Sequence, residues 1–151
     1  MLQYDFQDSV GYWLHLASQA FTRALAEELV PHGITYRQCQ VLAFLILEKR
    51  PLSQIELAER ISVEPPTLVG ILDRMERDGW LRRQACTSDR RKKLICLTEE
   101  AGPVWAQIAE CALRVRARAI SGLTEAQVES LKEMLRTVKH NLSENLAQEV
   151  A

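Results

Sequence analysis

Apolar residues recur at spacings of three and four along most of this chain, which is the pattern of amphipathic helices. The first stretch should end near Pro31–Gly33. The second, after Thr35, is apolar almost all round, so we expect it to be buried. The stripe of the first predicted helix consists of Val10, Trp13, Leu14, Ala17, Phe21, Ala24, Leu25 and Leu29.

Two helices joined by a tight turn are predicted next. Ser53 and Glu56 have the spacing of a capping box, as Thr35 and Gln38 do before the preceding helix. The first helix of the pair should reach about Ile61. The second is bounded by Pro65–Gly79, because proline suits a first helical position and glycine a C-terminal cap. Such a short connection is typical of a helix-turn-helix.

The helical period stops after Gly79. Two short runs compatible with β-strands, WLRRQA and KLICLT, flank the polar segment CTSDRRK, which predicts a hairpin with a basic tip. Residues 82–93 hold six cations and one acid in a chain whose net charge is −1. A basic patch on an otherwise acidic body is typical of a protein that binds nucleic acid.

Two more helices complete the pattern. The first carries an apolar stripe, and a capping box at Thr124 and Gln127 starts the second. The stripe consists of Val104, Trp105, Ile108, Cys111, Ala112 and Val115, and the last helix has a heptad-like seam of Val128, Leu131, Leu135, Val138 and Leu142. Such a seam can pack within the chain or against a second copy.

Composition narrows the class. The chain has 151 residues, 47% hydrophobic and 26% charged, as in a soluble globular domain. It has no apolar run of the roughly 18 residues needed to cross a bilayer, and its first residues lack the basic start of a signal peptide. We therefore expect a cytoplasmic protein without a membrane partner.

Metal and enzyme chemistry are not indicated. The cysteines lack CxxC spacing, and His15, His32 and His140 lie in separate segments without a glycine-rich phosphate loop. We expect no metal, no cofactor and no enzymatic activity.

The second helix of the predicted helix-turn-helix has two faces. Leu68, Ile71, Leu72 and Met75 share the side that should pack inward, and Thr67, Gly70, Arg74 and Arg77 lie opposite. The exposed face of such a helix enters the major groove, where Thr67 can contact a phosphate or a thymine methyl and Arg74 a guanine or the backbone. The alternative is an ordinary solvated face of a helical bundle.

The hairpin tip suits a minor groove, whose negative potential attracts arginine. Asp89 can hold the guanidinium of Arg91, and Arg83 and Lys92 are placed for phosphates. The alternative is a charged turn that only keeps the chain soluble.

The order of these elements resembles the MarR family of bacterial transcription regulators, and residues 53–103 are similar to its SlyA branch. The segment DRRKKLICLT matches the family signature through Asp89, Arg91, Leu97 and Thr98. The resemblance extends over nearly the whole chain, through VPHGITYRQ near the first helix and ISGLTEAQVESL between the last two.

The resemblance implies a mainly α fold with a small β wing. Residues 35–98 would form a winged helix-turn-helix DNA-binding lobe, and residues 1–34 and 99–151 the helices of a dimerisation domain. A homodimer would bind a pseudo-palindromic operator in double-stranded DNA. SlyA-like proteins commonly carry a base-reading arginine where this chain has Gly70. The expected DNA contacts are Ser53, Gln54, Pro66, Thr67, Gly70, Arg74, Arg83, Asp89, Arg90, Arg91 and Lys92.

The resemblance also implies control by a small aromatic carboxylate such as salicylate. The positions expected to line its crevice are His15, Ser18, Phe21, Thr22, Cys39 and Phe44. The simpler interpretation of each is core packing. Two alternatives stay open: redox control through Cys86, whose basic neighbours would lower the pKa of its thiol, and a winged-helix adaptor that binds protein.

Overall fold

The computed structural model describes residues 6–85 and 93–148 and divides into two compact units, residues 1–115 and 116–151. Its α-helices are α1 (Val10–Leu29), α2 (Tyr36–Glu48), α3 (Gln54–Ile61), α4 (Pro65–Arg77), α5 (Ala101–Ala119) and α6 (Glu125–Gln148). The strands are β1 (Leu52–Ser53), β2 (Leu81–Ala85) and β3 (Lys93–Leu97), and short 3-10 turns span Phe6–Asp8 and Val30–His32. The predicted fold class, mainly helical with a small β wing, is confirmed.

Capping boxes start three of these helices, as predicted. At α2 the Gln38 N–H donates to the Thr35 hydroxyl over 3.2 Å, and the Thr35 N–H donates to the Gln38 side chain over 2.9 Å. Ser53 and Glu56 make the same reciprocal pair at α3, and α6 begins with another at Thr124. These bonds satisfy backbone N–H groups that a helix start leaves without partners.

The turn between α3 and α4 is also confirmed. Ser62 has φ 51° and ψ 55°, the left-handed conformation that glycine commonly adopts at helix ends. The backbone then reverses through Val63, whose N–H donates to the Ala58 carbonyl over 3.1 Å. Leu57, Ala58 and Ile61 are buried beneath the turn, so the two helices pack closely with a small residue at their crossing.

A three-stranded antiparallel sheet forms the wing, in the order β1-β3-β2. The predicted hairpin is confirmed, with Leu81 opposite Leu97 and Ala85 opposite Lys93. Strand β1 was not predicted, because two residues are too few to show a period. It pairs Leu52 with Ile95 and thereby ties the start of α3 to the wing.

The core of the first unit is formed by apolar residues from α1 to α5, and the predicted stripe on α5 packs into it. The prediction that α2 is buried is confirmed for only part of its surface. Val41, Leu42 and Leu45 are buried, but 72% of Leu47 is exposed.

The predicted stripes on α1 and α6 are largely exposed in the single chain. Leu25 and Leu29 are buried at the end of α1, whereas 58% of Trp13 is exposed, and Val10 and Phe21 are exposed too. The α6 residues Leu131, Met134, Leu135 and Leu142 are exposed. Each helix thus carries apolar side chains that are exposed among the described residues.

A cluster of charges, here called the carboxylate clamp, joins α4 to β2. The guanidinium of Arg83 contacts Glu76 and lies 2.6 Å from Asp73 Oδ1, and the Arg83 backbone N–H donates to Glu76 Oε1 over 2.8 Å. Only 15% of the Arg83 side chain is exposed. These bonds, led by the one from the Arg83 backbone, lower the pKa of Glu76, so the clamp stabilises the ionised carboxylate.

The clamp should contribute stability at neutral pH that acid removes. Because the pKa of Glu76 is lower in the folded chain than in the unfolded chain, its contribution is complete above the ordinary glutamate pKa of about 4.3 and disappears as pH falls through the lowered value. We expect Glu76→Gln to reduce the free energy of unfolding by about 1 kcal/mol at pH 7, since Glu76 is partly exposed. Urea unfolding at pH 7 and below pH 4 measures this difference.

Glu59→Gln is the matched control, because Glu59 is an exposed carboxylate on α3 for which the described residues show no ion pair. The difference between Glu76→Gln and the unmodified chain should shrink in acid. A difference that is absent at pH 7, or constant across the pH range, would show that the clamp does not stabilise the fold.

Candidate nucleic-acid interface

Helix α4 has one buried face and one open face. Leu68, Ile71, Leu72 and Met75 are at most 4% exposed, so the predicted inward side is confirmed. The exposed residues of the helix include Pro66, Thr67, Val69, Gly70, Asp73, Arg74 and Arg77. Four buried apolar side chains leave little freedom to rotate α4, and they therefore determine which residues face outward.

Gly70 lies near the middle of the open face. A Cβ added there would meet no atom within 4 Å outside its own helix and chain neighbours. Arg74, one turn later, donates from Nε to the Gly70 carbonyl over 3.1 Å. The guanidinium is thus held beside the glycine, where the surface has no side chain of its own.

The start of α3 supplies two more predicted contacts, Ser53 and Gln54. The Ser53 side chain is engaged in the capping box, where its hydroxyl accepts from the Glu56 N–H. The Ser53 N–H, the Ser53 hydroxyl and Arg50 together lower the pKa of Glu56 to about 2. Glu56 therefore stays ionised at neutral pH and holds the helix start in place.

Gln54 faces a cleft between α4 and the sheet, here called the α4–wing cleft. The cleft has a volume of about 470 Å³ and is lined by Gln54, Val69, Asp73, Glu76, Arg83 and Lys93. The structure thus brings Gln54 and Arg83, predicted from separate segments, into one cleft beside the open face of α4.

Arg83 was predicted to contact phosphate, but its guanidinium is paired with two carboxylates in this structure. Sequence reasoning missed Asp73 and Glu76 as its partners. Asp73 and Glu76 lie three residues apart on α4, a spacing that puts both acids on one side of the helix. The sequence alone does not show that the hairpin packs against this side, so the pairing with Arg83 could not be predicted.

The cations at the described ends of the hairpin are Arg82, Arg83 and Lys93, and both Arg82 and Lys93 are exposed. The remaining wing predictions, on Cys86, Asp89, Arg90, Arg91 and Lys92, lie outside the described residues.

The predicted ligand residues occupy different environments. His15, Ser18 and Phe21 are exposed on α1. Thr22 is half-buried, and its hydroxyl lies 3.5 Å from the hydroxyl of Tyr36. Three of the six positions therefore lie on the open face of α1, where no packing within the described chain encloses them.

Cys39 and Phe44 lie in α2. Phe44 is half-buried against the core, and Cys39 is 6% exposed. Burial, with a smaller effect of nearby Cys111, raises the pKa of the Cys39 thiol to about 11. Cys39 is therefore a protonated core side chain at neutral pH, a poor nucleophile and a poor ligand for a metal.

Residues 6–85 and 93–148 lack two further features. No helix in that part of the chain is long and apolar enough to cross a bilayer. Nor do three or more His, Cys, Asp or Glu side chains cluster there in a way that could hold a metal ion.

Comparison with known proteins agrees with this architecture. The family model described as "MarR family" matches residues 34–93, from just before α2 to the first residue of β3. The apo structure of wild-type MarR from E. coli is 27% identical, with a TM-score of 0.79 over 86% of this chain and 96% of that one.

Two further solved structures are similar. The p-coumaroyl-CoA-bound CouR from Rhodococcus jostii RHA1 is 25% identical, with a TM-score of 0.73 over 90% of this chain and 95% of that one. The transcriptional regulator PA3341 is 32% identical, with a TM-score of 0.79 over 90% of this chain and 99% of that one. The match to the family model, together with 32% identity to PA3341 over 99% of that protein, shows that the chain belongs to the MarR family of transcription regulators.

Proposed function

We propose that this chain is a homodimeric regulator of the SlyA type that binds a pseudo-palindromic operator in double-stranded DNA and responds to a small aromatic ligand. The observation that carries the proposal is the open face of α4, held beside a basic hairpin by the carboxylate clamp. An exposed helix face next to a basic β-hairpin is the arrangement with which winged helix-turn-helix proteins enter a major groove. Residues 35–98 would form the DNA-binding lobe.

In this proposal α4 lies in the major groove. Pro66, Thr67, Gly70 and Arg74 are exposed on the helix and would face the bases or the adjoining backbone. Ser53 is the N-cap of α3 and Gln54 its first residue, and helix N-termini commonly contact phosphates.

The hairpin tip would enter the minor groove. In this proposal Arg91 would be the inserted arginine, Asp89 would hold it, and Arg90 and Lys92 would contact the flanking phosphates. Arg83 would reach a phosphate only by exchanging its partner Asp73. Its contact with Glu76 would meanwhile fix the base of the wing relative to α4.

Residues 1–34 and 99–151 are the proposed dimerisation helices. Large apolar patches on the surface of a soluble protein mark interaction sites. Both α1 and α6 expose large apolar side chains, and helical seams of this kind pack against a second helix. The twofold symmetry of a homodimer would match the pseudo-palindrome.

The proposal of ligand control is supported by membership of the MarR family and by the six residues of α1 and α2 that were expected to line a ligand crevice. CouR, a structural neighbour, was solved with p-coumaroyl-CoA, which is an aromatic acyl group on a large carrier. We propose that a smaller aromatic carboxylate, with salicylate as the test compound, binds beside α1 and α2. The exposed His15, Ser18 and Phe21 would be enclosed only when a second chain packs on α1.

Redox control through Cys86 is the second hypothesis. Cys39 and Cys111 are both buried, so neither is accessible to an oxidant in the folded chain. In this hypothesis Cys86 is the sensor, because its basic neighbours would lower the pKa of its thiol.

DNA binding is tested with Arg91→Ala. The duplex is the intergenic DNA upstream of the protein's own gene, and binding is measured by gel shift across a salt series. We expect binding to weaken steeply with salt, because several phosphates release counterions, and Arg91→Ala to cost about 1–3 kcal/mol.

Lys139→Ala, which removes an exposed cation from α6, is the matched control and should bind like the unmodified chain. If Arg91→Ala bound DNA with unchanged affinity, the proposal that Arg91 lies in the minor groove would be wrong. Failure of the unmodified chain to bind any such duplex at low salt would reject the regulator proposal.

The dimer is tested with Trp13→Glu, which places a charge on the exposed apolar face of α1. We expect sedimentation of the unmodified chain at micromolar concentration to show a dimer, and the variant to shift toward monomer because burial of an unpaired charge is costly. Leu47→Glu changes another exposed apolar residue, on α2, and should leave the dimer intact. A monomer in the unmodified chain would contradict the proposed architecture.

Ligand control is tested by repeating the gel shift with salicylate at millimolar concentration. We expect several-fold weaker DNA binding, since a ligand that prefers the DNA-free conformation must lower the affinity for DNA. Benzyl alcohol is the control that keeps the ring and lacks the carboxylate. Equal effects of the two compounds, or none, would argue against a carboxylate site.

A further inference from the structure

The first half of α4 has no charged or amide side chain. From Pro65 to Leu72 the sequence is PPTLVGIL, and the first charge is on Asp73. Leu68, Ile71 and Leu72 are buried, whereas Pro65, Pro66, Thr67, Val69 and Gly70 are exposed. The Thr67 hydroxyl is therefore the only side-chain hydrogen-bonding group that this half of the helix presents.

The exposed residues form a shallow apolar surface. Successive helical residues are about 100° apart, so Pro66 and Gly70 share the centre of the open face and Thr67 and Val69 lie on its two sides. Val69 is 41% exposed, and the space above Gly70 is open. A central strip without long side chains is thus bordered on both sides by methyl groups.

Glu64, the N-cap residue of α4, precedes this segment, and the two charged residues that follow it, Asp73 and Arg74, are both engaged. Asp73 is bonded to Arg83 in the carboxylate clamp. Arg74 donates to the Gly70 carbonyl from within its own helix. A Cβ at Gly70 would meet neither group within 4 Å, so the space above the strip is open. Val69 borders it on one side, where it also lines the α4–wing cleft with Asp73 and Lys93.

This surface selects among base pairs by a simple rule. Every base pair presents hydrogen-bonding groups in the major groove, but only thymine also presents a methyl group there. A polar base edge pressed against methyl groups would lose its water without gaining a partner. The N-terminal residues of a recognition helix are the ones that contact base edges.

We propose that α4 reads its operator through the 5-methyl groups of thymines, with the Thr67 methyl and the Val69 side chain as the contacting groups. This inference rests on the proposed DNA-binding function and adds the chemical basis of its sequence specificity. It predicts that each half-site has thymines at the positions facing the first two turns of α4. It also explains how a recognition helix with glycine at position 70 can discriminate between sequences.

The test begins with duplexes selected by the full-length protein from a random library. In the best duplex each thymine of a half-site is replaced by deoxyuridine, together with its symmetry mate, which removes only the methyl group. We expect substitution at one or two positions to weaken binding about fourfold per methyl, and about sixteenfold for the symmetric pair, from roughly 0.8 kcal/mol per buried methyl.

Variants then assign each methyl contact. Val69→Ala should abolish the deoxyuridine effect at one position. Thr67→Ser, which loses the methyl and keeps the hydroxyl, should abolish it at another, and Thr67→Val should preserve it. Val30→Ala, an exposed β-branched residue in the 3-10 turn after α1, is the matched control and should change no effect. Circular dichroism checks that each variant is folded.

The outcomes separate the two proposals. If the protein selects and binds a duplex but deoxyuridine is neutral at every position, the methyl proposal is overturned and the DNA-binding proposal stands. Deoxyuridine effects that persist unchanged in Val69→Ala and Thr67→Ser would also overturn it, since another element would then contact the methyls. Failure to select any duplex rejects the DNA-binding proposal and the inference with it.

Discussion

The burial of one side of α4 is the constraint on which the rest of this molecule depends. Leu68, Ile71, Leu72 and Met75 pack into the core, and each buried side chain of this size contributes about 1.5–3 kcal/mol. The combined contribution of these four side chains far exceeds the energy of any single surface contact of the helix. The rotation of α4 is therefore set by apolar packing, and its outward face follows from the inward one. The opening around Gly70 is a consequence of this rotation, and the modest cost of a helical glycine is offset by the packing opposite.

The same rotation directs two acids toward the wing. Asp73 and Glu76 hold Arg83, and strand β1 ties the start of α3 to β3. The wing is thus linked to both helices of the helix-turn-helix, by charge on one side and by backbone pairing on the other. The clamp also neutralises acids that would otherwise repel DNA beside the open face. The proposed functions of helix and hairpin therefore depend on one local arrangement.

Periodicity and capping signals predicted most of the fold, because each is a local property of the chain. The capping boxes, the turn at Ser62 and the hairpin are all visible within short windows of sequence. What could not be predicted depends on packing between distant segments. Strand β1 exists because β3 lies beside it, and the pairing of Arg83 requires the rotation of α4 to be known. The candidate site was thus predictable in its location and outward face, whereas the engagement of Arg83 and Arg74 required the structure.

The central claim is that the open face of α4 lies in the major groove, and photocrosslinking tests it most directly. Replacement of operator thymines by 5-iodouracil places a photoreactive atom in the groove at the position of the methyl group. After irradiation of the complex, trypsin digestion and mass spectrometry identify the attached peptide. The account predicts attachment within residues 61–74, the tryptic peptide that contains Thr67 and Val69. A complex in which iodouracil at every position crosslinks only to segments outside α4 would contradict it.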